Sequence, residues 1–538
     1  MKTKALFIFL ALTLITVNVF SYDMILTGDP VLEDIRFLAL ETGTLLLSYV
    51  PPLSPFEIRK ILDLIDESSL SLPALQAYER IEARLSPVSR VGYSNELFKL
   101  LLDFNVILET RIKSNSDISW YPLYPNITPF IGIPFKLSFA DSAQLFLEVP
   151  FSVKHGSGYG TKDAETNFPF TGSSFSQEYM PVRCFFSAGN HWWNFFIGRE
   201  RLYWGTAKTG SLVFNDNSTL FDFAKFSIFS STVKYSMVIN QMPLTLREDL
   251  FPSPSHIENW DTGLMHTMQR YYFMHRIDFT VRNKVTISLM EGLMSGNSFE
   301  LRYLNPFVVF HTLYTWNDYP KWEPNNGDMT GSLFCLEVNW NITKKLSAYG
   351  QFVMNELALQ GEINNNPEQP PNGFGYLTGI QYSHSFNTWG SIFYLEFIYT
   401  DPYLNLLSTP FGSYIQMDGD FYYYIGYPRD TIAVTLGSEF FNRDYLRFTG
   451  SFSWISSGEH NKNGLKWNWE KGSDAWNQST PTGIIENKFI LSFGAQWRPM
   501  SYLSIKTDIA GILSLNNRNI KGSDEFGAQA KIAVGFHY

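Results

Sequence analysis

Charge, cysteine and long apolar runs are all scarce in this 538-residue chain. Charged residues make up 17% of it, against roughly 25% in soluble domains. The two cysteines, Cys184 and Cys335, lie in separate strand-like segments, so they indicate neither a disulfide framework nor a cysteine metal site and pair only if the fold brings them together. No segment after the N-terminus is apolar for the roughly 20 residues of a membrane-spanning helix. The net charge of −10 argues against nucleic acid as a partner.

Aromatic residues, by contrast, are abundant. They make up 17% of the chain, led by 46 Phe and 29 Tyr, yet the mean hydropathy is only −0.11. The apolar residues must therefore be interrupted by polar ones, as in a sheet with lipid on one face and a wet lumen on the other. A soluble β-propeller or sandwich is the alternative, but the strands show no blade-length repeat, and so many outward aromatic side chains would leave a soluble surface badly exposed.

Residues 1–21 have the pattern of a secretory signal peptide. Lys2 and Lys4 precede an apolar run from Ala5 to Val19, and Val19-Phe20-Ser21 fits a cleavage site. A single membrane anchor is the alternative, but the run is shorter than the roughly 20 apolar residues of a spanning helix. The sequence therefore predicts an exported protein.

Residues 22–97 differ from the rest of the chain and are predicted to form a small periplasmic α-helical segment. Ser54-Pro55-Phe56-Glu57 is a capping box with proline at the first helical position, and one apolar face follows from Ile58 to Ile65. A second helix is predicted to begin near Ser71 to Pro73. Two short amphipathic helices cannot bury themselves alone, so we expect them to dock on each other and on the remainder of the protein.

Residues 98–538 have an apolar period of two, which predicts a transmembrane β-barrel. The connections alternate between short turns and longer segments rich in Gly, Asn, Asp and Trp, as periplasmic turns and external loops alternate in bacterial barrels. Strands laid between these turns give an all-β, antiparallel outer-membrane barrel of about 18 strands with both ends in the periplasm. The predicted turns are Ala140-Asp141-Ser142, Gly189-Asn190-His191, Ser230-Ser231-Thr232, Arg282-Asn283-Lys284, Asn341-Ile342-Thr343, Phe386-Asn387-Thr388, Asn442-Arg443-Asp444 and Arg498-Pro499-Met500.

The final strand of the sequence alternates through Ile532, Val534 and Phe536 to the terminal Tyr538. An aromatic last residue is the type of ending that the outer-membrane barrel-insertion machinery recognises, although any edge strand can end in tyrosine. With the export signal and the parity of the strands, it predicts a location in the outer membrane. Outer-membrane lipid and the insertion machinery are then expected partners.

Residues 197–215 interrupt the strand pattern. Alternation fails within Gly198-Arg199-Glu200-Arg201, and a glycine-spaced stretch follows Trp204-Gly205. This pattern is typical of a strand that leaves the apolar band and turns inward, with Arg199, Glu200 and Arg201 available for lumenal ion pairs or for anionic ligands. A salt-bridged rim is the alternative for each of these residues.

Three short motifs follow one another along the chain. They are Pro52-Leu53-Ser54-Pro55-Phe56-Glu57-Ile58, then Gly198-Arg199 with Trp204-Gly205, Gly210-Ser211-Leu212 and Asn215-Asp216-Asn217, and finally Leu304-Asn305-Pro306-Phe307. Together they resemble the capsule-assembly Wzi family of outer-membrane proteins. The glycine-rich "WGPG" of that family is Trp204-Gly205-Thr206-Ala207 here, a departure that bears on the shape of the loop.

The resemblance implies an eighteen-stranded barrel and a lectin-like role in holding capsular or exopolysaccharide at the cell surface. Sugar rings stack on exposed aromatic side chains while carboxylates and amides bind their hydroxyl groups, so tryptophans in the loops are candidate ligand residues. An interfacial aromatic belt or loop packing is the alternative for each of them. The candidates, besides Trp204, are Trp260, Trp316, Trp322, Trp467, Trp469 and Trp476.

Other functions have weaker support in the sequence. His384-Ser385 with Asn387 is similar to the His/Ser/Asn chemistry of outer-membrane phospholipases, but these residues fall at a predicted periplasmic turn. The histidines show no metal-ligand spacing, and no cofactor is indicated. The expectation is therefore a non-enzymatic polysaccharide-binding protein, with a porin or channel for small solutes as the alternative.

Overall fold

The computed structural model of the chain describes the residues in eighteen ranges. These are 22–45, 48–86, 92–95, 98–121, 128–139, 141–154, 166–167, 174–176, 183–215, 220–243, 269–296, 299–315, 330–357, 371–405, 412–418, 421–442, 446–459 and 478–538. The proposed signal peptide lies outside them. Within these ranges, no helix has the length and apolar content needed to cross a membrane.

Eighteen strands form one closed antiparallel barrel, as the sequence predicts. Each strand pairs with the next along the chain, and the last pairs with the first through Gln529↔Lys113 to His537↔Asn105. The strands are β1 Asn105–Lys113, β2 Ile131–Phe139, β3 Ala143–Lys154, β4 Arg183–Gly189, β5 Trp193–Glu200, β6 Phe221–Phe229, β7 Val233–Pro243, β8 Gln269–Val281, β9 Val285–Ser295, β10 Thr330–Thr343, β11 Leu346–Glu356, β12 Gly373–Phe386, β13 Trp389–Thr400, β14 Thr431–Asn442, β15 Leu446–Ser457, β16 Glu486–Met500, β17 Leu503–Leu515 and β18 Glu525–His537.

The eight short connections all lie at one end of the barrel. Because the number of strands is even, the first strand begins and the last strand finishes at that same end, as the sequence predicts. Two turns fall later than predicted, at Lys344–Lys345 and at Ser501–Tyr502. In both cases the register shifts just before the turn, between Asn341 and Thr343 and between Trp497 and Met500. Each shift is a β-bulge, which inserts extra residues into the strand and breaks the alternation of its side chains. The sequence pattern therefore breaks before the turn itself begins.

The first barrel strand is extended toward its N-terminus by Phe98–Leu102, which continues the pairing with β2. The last strand, β18, pairs with Asn105–Lys113 and does not reach the extension at residues 98–102. The short strand Gly92–Ser94 folds back and pairs with it instead. The short strand thereby covers an edge of the sheet that β18 does not pair with.

Among the described residues, three α-helices precede the barrel: α1 Val31–Thr42, α2 Pro55–Leu62 and α3 Leu72–Leu85. The capping box at Ser54 and Glu57 is present, with each residue bonding the backbone of the other. Helix α3 begins where the sequence predicts, after Ser71. The prediction of two helices is wrong by one, because α1 was missed. Its side chains are buried on nearly all sides, so it shows no single apolar face.

The remaining elements are short and lie in the connections. Ile415–Asp418 and Phe421–Tyr424 form a two-stranded hairpin between β13 and β14, and Ser174–Ser176 pairs with the end of β3. The 3-10 helices within the described ranges are Glu67–Ser69, Leu301–Leu304, Phe310–Thr315 and Asn517–Asn519.

Candidate functional site

The N-terminal segment, residues 22–86, lies inside the barrel at the end with the short turns. Its backbone is bonded to side chains that face the lumen from the wall. Gln144 accepts from the Met24 N–H at 3.1 Å, and Lys225 donates to the carbonyls of Val50 and Pro52, the latter at 2.8 Å. On the opposite side, Lys345 donates its N–H to the carbonyl of Leu40 at 2.7 Å. The segment is therefore held by strands on both sides of the lumen.

Buried ion pairs add to this attachment. Glu57 pairs with Lys234, and Asp23 pairs with Lys136 at 3.1 Å and with Arg84 at 2.8 Å. Burial alone would raise the pKa of the Asp23 carboxyl, but Arg84 and Lys136 outweigh it and hold the pKa below its usual range. Lys234 lowers the pKa of Glu57 against the same opposing effect of burial. Both carboxyl groups are therefore charged partners of buried cations.

Four lumen-facing phenylalanines form a stacked row across β3 to β6. The ring centroids of Phe146 and Phe185, of Phe185 and Phe196, and of Phe196 and Phe223 are 4.9, 4.8 and 5.0 Å apart. Gly198 lies within this row, and a Cβ atom there would approach the Phe185 backbone to 2.5 Å. The glycine of the Gly198-Arg199 motif is thus required by packing.

The first inward loop, residues 201–215, leaves β5 and turns into the lumen. Trp204 is fully buried, packs edge-on against Phe214 at 5.2 Å and lies under the Arg276 guanidinium at 5.9 Å. Gln351 donates to the Trp204 carbonyl at 3.1 Å and accepts from the Leu212 N–H at 3.0 Å. These contacts fasten the loop to the wall formed by β8 to β11.

The tip of this loop is held by one carboxylate on β13. Glu396 accepts from the N–H groups of Lys208 and Thr209 at 2.6 and 2.9 Å, from the Thr209 hydroxyl, and from the Tyr349 hydroxyl at 2.5 Å. A buried carboxylate with this many donors is well compensated for its loss of water. The loop tip is therefore fixed in the middle of the lumen.

The first inward loop and the N-terminal segment meet there. Lys208 pairs with Glu33 of α1 and with Glu439 of β14, the latter at 2.7 Å, and Arg36 donates to the Thr206 carbonyl. Burial raises the pKa of Glu33, but the Lys208 and Arg36 cations outweigh that effect and lower it to about 2. The two parts are joined by charge as well as by packing.

The second inward loop, between β13 and β14, packs beside the first. The Asn215 N–H donates to the Ile425 carbonyl at 2.7 Å, and Arg270 on β8 donates to the carbonyls of Ser413 and Ile415 at 2.8 and 2.6 Å. Tyr414 and Tyr427 of this loop are buried. The N-terminal segment and the two inward loops together form a plug.

The plug leaves a cavity of about 670 Å³ against the wall of β14 to β17. This size lies within the roughly 300–1,000 Å³ of small-molecule binding sites. Aromatic side chains from several distant segments line it, together with cationic and hydroxyl groups. The aromatic residues are Tyr49, Trp120, Tyr121, Tyr203, Tyr394 and Tyr427, and the cationic residues are Arg36, Lys208, Arg447 and Lys488.

A second cavity of about 630 Å³ lies on the same side of the lumen, nearer the short turns. It shares residues 27–30, Arg447 and Gln496 with the first cavity. The turn that precedes α1 therefore stands between the two spaces. Its Thr27 hydroxyl donates to the Arg201 carbonyl at 3.1 Å.

The residues singled out in the sequence are not gathered in one place. Glu200 faces the lumen, is fully buried and pairs with Arg183 at 2.6 Å, as an inward ion pair requires. Arg199 projects from the other face of β5, half exposed and 4.0 Å from Asp222. Arg201 is exposed at the start of the first inward loop, whereas Trp204 has no exposed face. The other candidates, Trp260, Trp316, Trp322, Trp467, Trp469 and Trp476, lie outside the described residues.

Two further sequence features are separated by the fold. His384 and Ser385 point to opposite faces of β12: His384 stacks between Tyr382 and Phe386 on the outer face, and Ser385 accepts from Ser71 inside at 3.1 Å. The thiols of Cys184 and Cys335 are both free, on strands β4 and β10. In the part of the chain that the structure describes, no three His, Cys, Asp or Glu side chains converge as a metal site requires.

The aromatic residues of the larger cavity were not identified from the sequence. Tyr49 precedes α2, Tyr121 follows β1, and Tyr394 lies on β13, so no local spacing connects them. The one signal available is that Tyr394 and Arg447 occupy lumen-facing positions of their strands, where an aromatic or a cationic side chain faces the interior.

No protein-family model and no curated protein sequence matches the chain. Among solved structures, it is similar to Wzi from Escherichia coli, an outer-membrane protein involved in group 1 capsule assembly and described as a carbohydrate-binding β-barrel. The identity is 15%, over 96% of this chain and 99% of that one, with a TM-score of 0.56. OprD from Pseudomonas aeruginosa is 7% identical over 82% and 95%, with a TM-score of 0.39, and OpdQ from the same species is 7% identical over 83% and 99%, with a TM-score of 0.40. The similarity to Wzi is one of fold.

Proposed function

We propose that this protein is a non-enzymatic member of the capsule-assembly Wzi family that binds and retains capsular or exopolysaccharide at the surface of the outer membrane. The main observation that supports the proposal is the plug inside the barrel. A general porin needs an open lumen, whereas here the N-terminal segment and two loops meet in the lumen through Lys208, Glu33 and Glu439. A barrel filled in this way is suited to holding a ligand.

The chemistry of the larger cavity supports a carbohydrate ligand. Tyr121 and Tyr394 are partly exposed in it, and such rings offer flat faces to the CH surfaces of sugars. Thr435 and Ser451 on the wall and Arg447 beside them supply hydroxyl and guanidinium groups for hydrogen bonds. The carboxylates of Glu439 and Glu486 lie behind Arg447 and Lys488 and balance their charge.

The similarities to known proteins point the same way. The fold is shared with a carbohydrate-binding barrel from a capsule-assembly system, and the three sequence motifs follow that family's order. Two of those motifs are structural here: Ser54 and Glu57 cap α2, and Gly198, Trp204 and Gly205 shape the first inward loop. We infer from these shared features that the ligand is a surface polysaccharide.

Polysaccharide retention on cells tests the proposal. A strain that lacks the chromosomal gene is complemented with each variant, and cell-bound polysaccharide is measured against polysaccharide released into the medium. We expect Ser451→Trp, which fills part of the cavity, to lower the bound fraction several-fold. Ala533→Trp is the matched control, because Ala533 faces the lumen of β18 away from the cavity lining. Equal retention by the wild type and by a strain without the protein would overturn the proposal.

The loop tryptophans are tested in the same assay. We expect Trp467→Ala and Trp469→Ala to lower retention, because tryptophan rings stack on the CH faces of sugars. Trp192→Ala is their control, because Trp192 is an exposed tryptophan at the short-turn end of the barrel. Unchanged retention in both loop variants would remove Trp467 and Trp469 from the site and leave the cavity as the candidate.

A channel for small solutes is the second candidate function. The observation that favours it is that the two cavities adjoin on one side of the lumen, with the turn at residues 27–30 between them. A solute path on that side would have to pass Arg447 and Gln496. Electrical conductance separates this candidate from the first.

A further inference from the structure

The outer face of β7 to β9 contains side chains that are buried although they point away from the lumen. On β8, Arg270 and Arg276 face the lumen, so the intervening Phe273 and His275 face outward. Farther along the same face, Ile277 is 41% exposed and its neighbour Leu289 is 40% exposed, as expected of a bare outer wall. Phe273, by contrast, is fully buried, and His275 is 8% exposed. Something on the outside of the barrel covers them.

The cover is the outer segment, residues 299–313, which follows β9 and contains the Leu304-Asn305-Pro306-Phe307 motif. Tyr303 and Phe310 are fully buried on its inner side. The Tyr303 ring lies 4.9 Å from Phe273, and the Phe310 ring lies edge-on to His275 at 4.8 Å. The segment therefore lies flat on the outer wall and does not extend into solvent as a free loop.

Polar groups fix the outer segment in this position. The Tyr303 carbonyl is 2.9 Å from His275 Nε2, and His275 Nδ1 is 2.7 Å from the Tyr235 hydroxyl. The His311 N–H donates to the Glu291 carboxylate at 2.8 Å. On an uncovered wall these polar side chains would face hydrocarbon, where an unsatisfied polar group costs several kcal/mol. The outer segment satisfies them.

The side of the segment that faces away from the barrel carries large apolar side chains, together with the exposed polar residues Asn305, His311 and Thr312. Phe307 is 90% exposed and Leu301 is 77% exposed, and Val309 lies beside them, more than half exposed. Arg302 and Glu300 form an ion pair at 2.5 Å, so their charges offset each other. Large apolar side chains exposed to this degree favour an apolar surrounding, as do the outward residues Ile277 and Leu289 on the bare wall.

The position of the outer segment across the bilayer can be calculated from its contact with His275 on β8. His275 is six residues from Val281, where β8 ends at a short turn, which corresponds to about 20 Å along the strand. With strands tilted by roughly 40° and an apolar band roughly 25 Å tall, this position lies in the half of the bilayer nearer the long loops.

We propose that the outer segment is a membrane-inserted element whose Leu301, Phe307 and Val309 side chains lie among the hydrocarbon chains of the bilayer leaflet on the long-loop side. The inference rests on the membrane location that the proposed function includes, and it adds a lipid-binding surface outside the barrel. The Leu304-Asn305-Pro306-Phe307 motif thereby has a role of its own: it turns the chain so that Tyr303 packs inward and Phe307 points outward.

Site-directed spin labelling of the full-length protein tests this. A nitroxide is attached at Phe307→Cys, and separately at Leu301→Cys, in a background of Cys184→Ser and Cys335→Ala, and the protein is reconstituted in phosphatidylcholine vesicles. Collision with oxygen, which concentrates in hydrocarbon, is compared with collision with a water-soluble nickel chelate. Ile277→Cys is the lipid-facing reference, and Trp192→Cys is the water-facing reference.

We expect the labels at 307 and 301 to favour oxygen to the same degree as the label at 277. Preference for the nickel chelate, as at 192, would overturn the proposal. Shielding from both reagents, with dipolar broadening between labels, would also overturn it and would assign the surface to a second copy of the chain. If the label at 277 itself met the nickel chelate, the membrane location would have failed, which is a different result from failure at 307 alone.

Discussion

Lys208 is the residue at which the first inward loop meets both the N-terminal segment and the barrel wall. Its ammonium group lies between Glu33, from a helix near the N-terminus, and Glu439, from a strand late in the sequence. Breaking a buried pair by removing one partner typically costs roughly 3 kcal/mol or more, because the other charge stays buried. If Lys208 is removed, the Glu33 carboxylate still pairs with Arg36, so its buried charge is partly compensated.

Acid is expected to loosen the plug. The carboxyl pKa of Glu33 is lowered to about 2, below the roughly 4.3 of a glutamate in an unfolded chain. Its ion pairs therefore contribute stability above about pH 4, and that stability is lost as the pH falls toward about 2. The lowered pKa values of Asp23 and Glu57 act in the same direction. Pepsin, which is active in acid, should cleave within residues 22–86 increasingly over this range.

The variant Lys208→Met shows whether the ion pair is responsible. Without the ammonium group, the pKa of Glu33 should rise, so pepsin cleavage should begin at higher pH. Lys284→Met is the control, because Lys284 is exposed on a short turn. Identical cleavage profiles for Lys208→Met and the wild type would show that Lys208 does not hold the plug.

Helix α1 shows how an element depends on its surroundings. Its C-terminus is Gly43 in the left-handed conformation, next to the Lys344–Lys345 turn of the barrel. Asn341 donates to the Gly43 carbonyl at 2.9 Å, and Phe37 packs edge-on against Phe441 at 4.7 Å. Helix α1 is therefore part of the barrel interior and does not hang below it.

A designed cross-link tests this position. A Cβ atom at Gly43 would lie 3.8 Å from Cβ of Lys344, which is about the mean separation in disulfides. With the native cysteines replaced, Gly43→Cys/Lys344→Cys should oxidise to a disulfide in high yield in the periplasm. The left-handed backbone at Gly43 costs a cysteine about 1 kcal/mol, which is too little to prevent docking. The pair Gly43→Cys/Thr232→Cys, on a distant turn, is the control, and equal yields would contradict the docked helix.

Sequence patterns predicted the elements of the wall better than those of its interior. Period-two alternation and the eight turns gave the strand number and parity, and Ser54 and Glu57 gave the start of α2, because these signals are local. Helix α1 was missed because burial on all sides removes its amphipathic pattern. The cavity was missed because Tyr49, Tyr121 and Tyr394 are brought together only by the closed barrel.

The whole molecule is an asymmetrically filled barrel. Lumen-facing residues of β8, such as Arg276 and Asp278, are fully buried under the plug, whereas Arg447 and Lys488 on β15 and β16 are partly exposed to the cavities. Ion pairs, backbone hydrogen bonds and stacked rings join the plug to strands on several sides of the wall. The remaining space is large enough for a few sugar units and is interrupted by the turn at residues 27–30.

Single-channel recording from the purified full-length protein in planar lipid bilayers tests the filled lumen most directly. Insertion is verified independently by protease protection, and a general porin serves as the positive control. We predict no large, steady conductance at neutral pH, because the plug remains bound through Lys208, Glu33 and Glu396. A large and steady conductance comparable to that of the open porin would contradict the plugged, polysaccharide-holding barrel.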